Sequence, residues 1–359
     1  MTLEKLRDAI DEVDAELVAL LNRRVELAAE IGHLKGKTGG PIFVPARERE
    51  VFDRVAALSK GPLDGDRLRP IFREIISASI SMEGGLKIAY LGPEATFTHQ
   101  ASLVAFGSQM QHMPLTTIPE VFSAVERRQA DHGVIPIENS TEGAVFHSLD
   151  MLVESPLKII SQVYLRIEHC LLGEGDLESV KRVYSKDQAI GQCREWLATH
   201  LKRAELISVH STAGAVRNAM EEEGSAAIAS SVAATTYGVP VLARGIEDHP
   251  DNTTRFFVLG REASRPSRTG KDKTSLVFSL RDEVGALKGA LEAFGERRIN
   301  LTKIESRPSR RRRWDYYFFA DCEGHMEDAQ LKEVFDALEK TCPFVKWLGS
   351  YPDTGNTGQ

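Results

Sequence analysis

Apolar positions open the chain with a helical rhythm. Leu3, Leu6, Ile10, Val13, Leu17, Leu20, Leu27, Ile31 and Leu34 follow one another by steps of mostly three and four, with no glycine or proline before Gly32, the period of an amphipathic helix. At ~1.5 Å per residue such a helix approaches 50 Å, so its stripe needs a partner helix along its whole length. The loop GKTGGPIFVP follows, then two shorter helical patterns, Arg47–Ser59 and Asp64–Met82, separated by Lys60-Gly61-Pro62. Behind Glu83-Gly84-Gly85 the pattern changes. Leu86–Leu91, Gly133–Ile137, Lys158–Tyr164, Arg182–Tyr184 and Ala226–Ala229 are short strand-like runs, most followed by a turn or cap signal and a helical stretch. That alternation predicts a two-lobed α/β domain with a mostly parallel sheet, running to about Gly260. Glu262–Lys273 is polar and rich in turn formers, and reads as a linker. The remainder scans as strand Thr274–Leu280, helix Gly285–Arg297, strands Asn300–Ser306 and Asp315–Asp321, helix Asp328–Lys340 and strand Val345–Ser350. This βαββαβ order is the ferredoxin-like arrangement. Three domains are expected: all-α over 1–83, α/β over 86–262 and α+β over 274–352.

Composition agrees and removes some functions. A chain of 359 residues and 39.7 kDa exceeds what one core usually supports. Its 42% hydrophobic and 27% charged residues are those of a globular protein. Forty-five Lys+Arg against 52 Asp+Glu give −7, so no global electrostatic case exists for nucleic acid. The run Arg310–Arg313 reads as a solvated hairpin loop. No apolar run approaches the roughly 18 residues of a membrane span, and the opening MTLEKLRDAIDEVD does not read as a signal peptide. Cys170, Cys193, Cys322 and Cys342 are scattered without ligand spacing, which predicts reduced thiols, no metal site and a cytoplasmic protein. No cofactor is expected.

Chemistry enters on the first helix. Counting heptads from Leu3, the seam positions are Leu3, Ile10, Leu17, Arg24 and Ile31. A guanidinium there is costly unless an anion meets it, although snorkelling on a coiled-coil face would also account for it. Arg7 and Lys35 flank the same stripe. Arg7 lies about 25 Å from Arg24 along the helix, so one small ligand touching both requires a second chain, and an intertwined dimer follows. The segments LRDAIDEVDAELVALLNRRVELAAEIGHLK, Pro45-Ala46-Arg47-Glu48 and FREIISAS ending at Ser79 resemble the helical chorismate mutase domain at the N-terminus of many P-proteins. The resemblance implies a chorismate site made of Arg7 from the partner chain, Arg24, Lys35, Arg47, Glu48, Ser79 and Glu83. It places Lys35 at the breaking ether oxygen and Glu48 at the ring hydroxyl. A Claisen rearrangement needs no covalent or acid–base step, only a compact conformer and charge stabilisation. Two positions depart from relatives: Val44 stands where an acidic residue is common, and Glu83 stands where a glutamine donates to the ether oxygen. A carboxylate cannot donate, so Glu83 must hold a proton to act.

The α/β segment carries no Walker loop, GxGxxG, GxSxG or metal-ligand cluster. It carries hydroxyls and amides at strand ends instead: Thr96 and Thr98, Glu138-Asn139-Ser140, Ser185 and Gln192, Ser211 and Thr212, and Asn252-Thr253-Thr254-Arg255. Each alone reads as a helix cap, whereas five together suggest a carboxylate receptor outside the strand ends. GPEATFTHQA, PIENS, HCLL and NTTRF resemble prephenate dehydratase, with its periplasmic-binding-protein-like fold. The likeness implies loss of hydroxide and CO2 from prephenate, with Thr254 the essential hydroxyl and Arg255 an anchor for the side-chain carboxylate. Thr96, Asn139, Ser140, Ser185, Gln192 and Thr212 would line the pocket, with Glu138 a candidate proton-relay neighbour. Lys186-Asp187 stands where the family often has His-Pro, and Ala95 replaces a glycine.

The last segment resembles an ACT regulatory domain. Gly285-Ala286-Leu287 and Glu305-Ser306-Arg307-Pro308 correspond to the motifs that hold phenylalanine in the dehydratase family, and such modules pair, which implies a dimer or a tetramer. The expected function is therefore chorismate to prephenate to phenylpyruvate, feedback-inhibited by phenylalanine. The competing reading is a non-catalytic aromatic-acid sensor with an ACT domain and a helical stalk. A sensor has no need of the helical cation set or the Thr-Arg-Phe segment, and no output element is visible.

Overall fold

The computed structural model describes residues 2–38, 41–262, 266–309 and 316–355, with the backbone alone for 35–38. Arg310–Arg313 and the Lys35 side chain therefore lie outside the described residues. Two compact units result: Met1–Leu86 with Phe106–Gln111, and Lys87–Ala105 with His112–Gln359.

The first unit holds three helices, α1 (Leu3–Thr38), α2 (Pro45–Leu58) and α3 (Gly65–Met82). Pro45 opens α2 at a position whose N–H has no helical partner. The Asp64 side chain caps α3 by accepting from the Arg67 N–H at 2.9 Å. Phe43, Ala46, Phe52 and Ile76 make the small core. The α1 stripe stays outside it: Leu3, Ile10, Leu17 and Leu20 are 66, 59, 50 and 61% exposed.

In the second unit the chain runs β1 (Lys87–Leu91), α4 (Phe97–Phe106), β2 (Gln111–Leu115), α5 (Ile118–Glu126), β3 (His132–Asn139), β4 (Gly143–Ala144), α6 (Phe146–Glu154) and β5 (Lys158–Arg166). A second lobe follows: β6 (Cys170–Gly173), β7 (Arg182–Ser185), α7 (Asp187–Gln192), α8 (Arg194–His200), β8 (Glu205–Ser208), α9 (Thr212–Glu221), β9 (Ser225–Ala229), α10 (Ser231–Tyr237) and β10 (Val241–Arg244). Strand β11 (Thr253–Gly260) then returns to the first sheet. The sheets order as β2-β1-β3-β11-β5, with β4 on β3, and β10-β6-β9-β7-β8.

Neither sheet is mostly parallel. The pairs β1/β3, β7/β8 and β7/β9 are parallel, but β11 is antiparallel to both β3 and β5, and β6 to β9 and β10. The expectation missed this because β6 and β11, which follow β5 and β10 directly, are entered through loops and not through crossover helices. It also read the Thr253–Arg255 segment as the end of a strand, whereas these residues begin β11.

The last module follows the expected order: β12 (Asp272–Ser279), α11 (Ala286–Glu296), β13 (Leu301–Pro308), β14 (Tyr316–Glu323), α12 (Ala329–Thr341) and β15 (Phe344–Pro352) form a sheet β13-β14-β12-β15. One sheet face packs Leu276, Phe278, Ala320 and Cys322 against its own helices. The other face sends Val277, Tyr317, Phe319, Leu348 and Tyr351 into the core of the first lobe, beside Ile135, Ile159, Phe257 and Leu259. The two share one hydrophobic core.

Candidate active sites

The helical unit contains a cavity of about 210 Å³ among α1, α2 and α3. Arg24, Arg47, Glu48, Ser79 and Glu83, all expected there, line it beside Ile31, Val44 and Ile76. Arg24 reaches across from α1 and donates to Ser79 Oγ at 3.0 Å, while Ser79 donates to the Ile75 carbonyl at 2.9 Å. Burial lowers the Arg24 pKa. Glu48 accepts from Arg73 at 2.7 Å through Oε2, and its buried Oε1 has no hydrogen-bond partner among the described residues. Burial raises the Glu48 pKa against the lowering effect of Arg73. A buried carboxylate oxygen without a donor is costly and asks for one from a ligand. The Glu83 side chain lies over Gly32, where a β-carbon would overlap its carboxylate. Arg7 is exposed on α1 and does not line this cavity.

A second cavity, about 190 Å³, lies in the α/β region. Thr96, Asn139, Gln192, Thr212 and Thr254 line it, as expected of them, together with Phe97, Thr98, His169, Lys186 and Gln188. Part of its polar rim is made of helix beginnings. Thr96 Oγ1 accepts from the His99 N–H in α4 at 3.3 Å, Ser211 caps α9 and Ser230 caps α10. Hydroxyls and open N–H groups at helix starts favour anions. Among the described residues Lys186 is the one lysine or arginine that lines the cavity, and no described carboxylate side chain does.

Thr254 sits where β11 pairs with β3, opposite Asn139. Asn139 Oδ1 accepts from the Thr141 hydroxyl (2.6 Å), Thr141 N–H (3.0 Å) and Glu142 N–H (3.1 Å). That fixes the amide so that Nδ2 donates to Thr254 Oγ1 at 2.8 Å and to Asn252 Oδ1 at 2.7 Å. Thr254 is an acceptor in this bond, so its own proton is free to point elsewhere.

Four expected pocket residues lie elsewhere. Ser185 is buried and donates to the Ile228 carbonyl at 2.9 Å. Ser140 clamps the start of β11, accepting from the Thr253 N–H at 3.0 Å. Glu138 and Arg255 face away from the cavity, because successive side chains on a strand alternate between faces. Arg255 binds Glu138 at 3.0 Å, Gln162 at 3.0 Å, Asp321 at 2.5 Å and Tyr351 at 2.9 Å, and is 4% exposed. Its expected role as a carboxylate anchor does not match this position.

In the last module Gly285 has φ +86°, a left-handed conformation suited to glycine, and caps α11 ahead of Ala286 and Leu287. Glu305 is half-buried and Ser306 and Pro308 exposed on the edge strand β13. Arg307 is buried, paired with Asp150 of α6 and stacked over the Phe146 ring at 4.7 Å.

Comparison with known proteins decides the family. The chorismate mutase type II family matches residues 6–84, prephenate dehydratase residues 88–264 and the ACT domain residues 274–340. A bifunctional chorismate mutase/prephenate dehydratase of Aquifex aeolicus (strain VF5) is 47% identical over 98% of both chains. One of Neisseria gonorrhoeae (strain ATCC 700825 / FA 1090) is 45% identical over 96% of both. The chain belongs to the bifunctional chorismate mutase/prephenate dehydratase family. The prephenate dehydratase of Arthrobacter aurescens, solved in complex with L-Phe, superimposes with a TM-score of 0.70 at 33% identity, covering 76% of this chain and 92% of that one.

Within this bifunctional family the sensor alternative loses its ground, since the matches include both enzymatic domains. Sequence reading overlooked His169 of the HCLL motif. Its Nε2 lies 2.8 Å from Gln192 Oε1, and Gln192 donates to Glu142 at 2.8 Å. The Gln192 oxygen is thus the acceptor, and Nε2 carries the proton. Burial lowers the His169 pKa, so the ring is neutral near neutral pH. Lys186 was also missed as a pocket group. The only signal for Lys186 was its departure from the family's histidine.

Proposed function

We propose that the helical cavity rearranges chorismate to prephenate and that the cavity at Thr254 turns prephenate into phenylpyruvate. In the first, Arg24 and Arg47 hold the substrate carboxylates, and the unpartnered Glu48 Oε1 accepts the ring hydroxyl. Lys35 and a protonated Glu83 meet the ether oxygen, and Arg7 of a second copy completes the site, which makes the working form a dimer or a tetramer. No proton leaves or enters, so rate comes from holding the compact conformer and stabilising charge on that oxygen.

In the second, Thr254 donates to the departing ring hydroxyl, which leaves as water. The bond to the ring carboxylate breaks to release CO2, and its electron pair completes the aromatic ring. Threonine is too weak an acid to supply the proton alone, so it positions the leaving hydroxyl and relays to it a proton drawn from solvent. Lys186 and the helix starts hold the side-chain carboxylate. A single cation leaves the ring carboxylate unneutralised and free to depart. The carrying observation is the Asn139 amide fixed on Thr254 Oγ1 at 2.8 Å in the cavity wall.

Phenylalanine binds the ACT module at Gly285–Leu287 and Glu305–Pro308, a reading supported by the likeness to the dehydratase solved with L-Phe. No described helix is long and apolar enough to cross a membrane, and the site of action is the cytoplasm. Feeding chorismate to the purified protein and following phenylpyruvate, with and without phenylalanine, tests the whole reading. Phenylpyruvate forms, and phenylalanine suppresses it. Absence of product from both chorismate and prephenate would refute it.

A further inference from the structure

Thr254 and Arg255 are neighbours on β11 that serve opposite faces of the sheet. Thr254 pairs in register with Asn139 and lines the cavity. Arg255 pairs with Glu138, and a register shift follows directly between Arg255 and Phe256. On its own face the Arg255 guanidinium is almost wholly buried and uses all three of its nitrogens. Two of its partners, Glu138 and Gln162, belong to the dehydratase sheet. The other two, Asp321 and Tyr351, belong to the ACT sheet.

Those ACT partners are tied to one another. Ser275 donates to Asp321 Oδ1 at 2.5 Å and lies 2.6 Å from the Tyr351 hydroxyl. Arg255, Asp321, Ser275 and Tyr351 thus close a hydrogen-bonded ring, three of whose members are on ACT strands. Lys303 of the ACT module pairs with the second oxygen of Glu138, and Gln162 donates to Asp353 at 3.2 Å. Burial disfavours the charge on Arg255, and Tyr351 and Asp321 outweigh it, so the guanidinium stays ionised. A buried cation of this kind holds its place only while every partner holds its own. A shift of the ACT sheet therefore moves Arg255, and with it the adjoining residue.

We propose that Arg255 is a positioning residue for the dehydration, through which the ACT ring of Asp321, Ser275 and Tyr351 sets the place of the Thr254 hydroxyl. The ACT module is then part of the catalytic scaffold even when no effector is bound. This rests on the reading of Thr254 as the essential hydroxyl.

The test uses the full chain and compares Asp321→Asn, Tyr351→Phe and Arg255→Lys with Thr254→Ala and with Leu338→Ala. Leu338 is buried on the helical face of the ACT sheet, away from the ring. Misplacing a reacting group by about an ångström costs on the order of 100-fold, so prephenate kcat should fall about 10- to 100-fold in Asp321→Asn and Arg255→Lys. Prephenate KM should stay within about twofold, since Arg255 does not touch the cavity. Tyr351→Phe should give a smaller fall. Chorismate mutase activity should be unchanged in every variant, and Leu338→Ala should lower the melting temperature without lowering kcat below that temperature. Unchanged kcat in Asp321→Asn and Arg255→Lys, with Thr254→Ala inactive, overturns the positioning role. So does a raised KM at constant kcat, or an equal loss of kcat in Leu338→Ala. An active Thr254→Ala overturns the reading of the site itself.

Discussion

A threonine hydroxyl gains direction from whatever occupies its lone pairs. The Asn139 amide donates to Thr254 Oγ1, and three donors on the Asn139 oxygen prevent that amide from turning. Thr254→Ala should lower dehydratase kcat by about 100-fold or more and leave the mutase intact, whereas Thr254→Ser should keep most of the rate. Lys186→Gln should act differently, raising prephenate KM about tenfold through the loss of a charged hydrogen bond. Steady-state kinetics on prephenate and chorismate separate the two outcomes. The mutase site offers a titration. Glu48 must be ionised to accept well, and its pKa is raised by burial and lowered by Arg73. Its activity is therefore lost as pH falls, at a pH above that of an ordinary glutamate. Arg73→Gln removes the lowering effect and should move this acid limb of mutase kcat/KM to still higher pH. Glu83→Gln replaces the carboxyl by an amide that can donate at any pH, and should keep or raise mutase kcat. A large loss of mutase rate in the glutamine variant sinks the role given to Glu83.

At the scale of elements, β11 joins two kinds of chemistry by its pleat. Thr254 faces the cavity, and Arg255, Phe257 and Leu259 face the shared core or its polar edge. The ACT strand β15 crosses β5 so closely that Gly349 has no room for a β-carbon, which would run into the Ile159 backbone. Lys158 lies 4.4 Å over the Trp347 ring, and Lys346 donates to the carbonyls of Leu152, Val153 and Ser155 at the end of α6. Gly349→Ala should therefore cost about 1–3 kcal/mol by overpacking, read as a lower melting temperature of the dehydratase–ACT unit, with the mutase rate unaffected.

For the whole molecule, the length of α1 and its exposed stripe carry the strongest statement about assembly. Apolar residues at Leu3, Ile10, Leu17 and Leu20 are half or more exposed along one seam, a pattern that a second copy would cover. Ile10→Glu with Leu17→Glu should break the helical pairing and lower the assembled mass by light scattering, and should abolish mutase activity because Arg7 could no longer reach a second site. Prephenate turnover should survive at a substantial fraction of the parent rate. A dimer that persists with full mutase activity refutes the shared helical site. The net charge of −7 describes the outer surface. A few local cations line the cavities instead, Arg24 and Arg47 in one and Lys186 in the other.

The helical period of α1, the βαββαβ order and the cap-rich strand ends were all legible along the chain, because each depends on residues within one turn, strand or loop. Short motifs also singled out Arg24, Arg47, Glu48, Asn139, Gln192 and Thr254, which line the two cavities. Other features were decided only by packing between distant segments. The antiparallel return of β11, the face on which Glu138 and Arg255 lie, the place of Lys186 in a cavity wall and the fused core of the dehydratase and ACT modules belong to this group. A motif records that Thr254 and Arg255 are adjacent. Strand register and the sheet stacked behind it decide that one faces the cavity and the other the ACT module, since neighbours on a strand point to opposite faces.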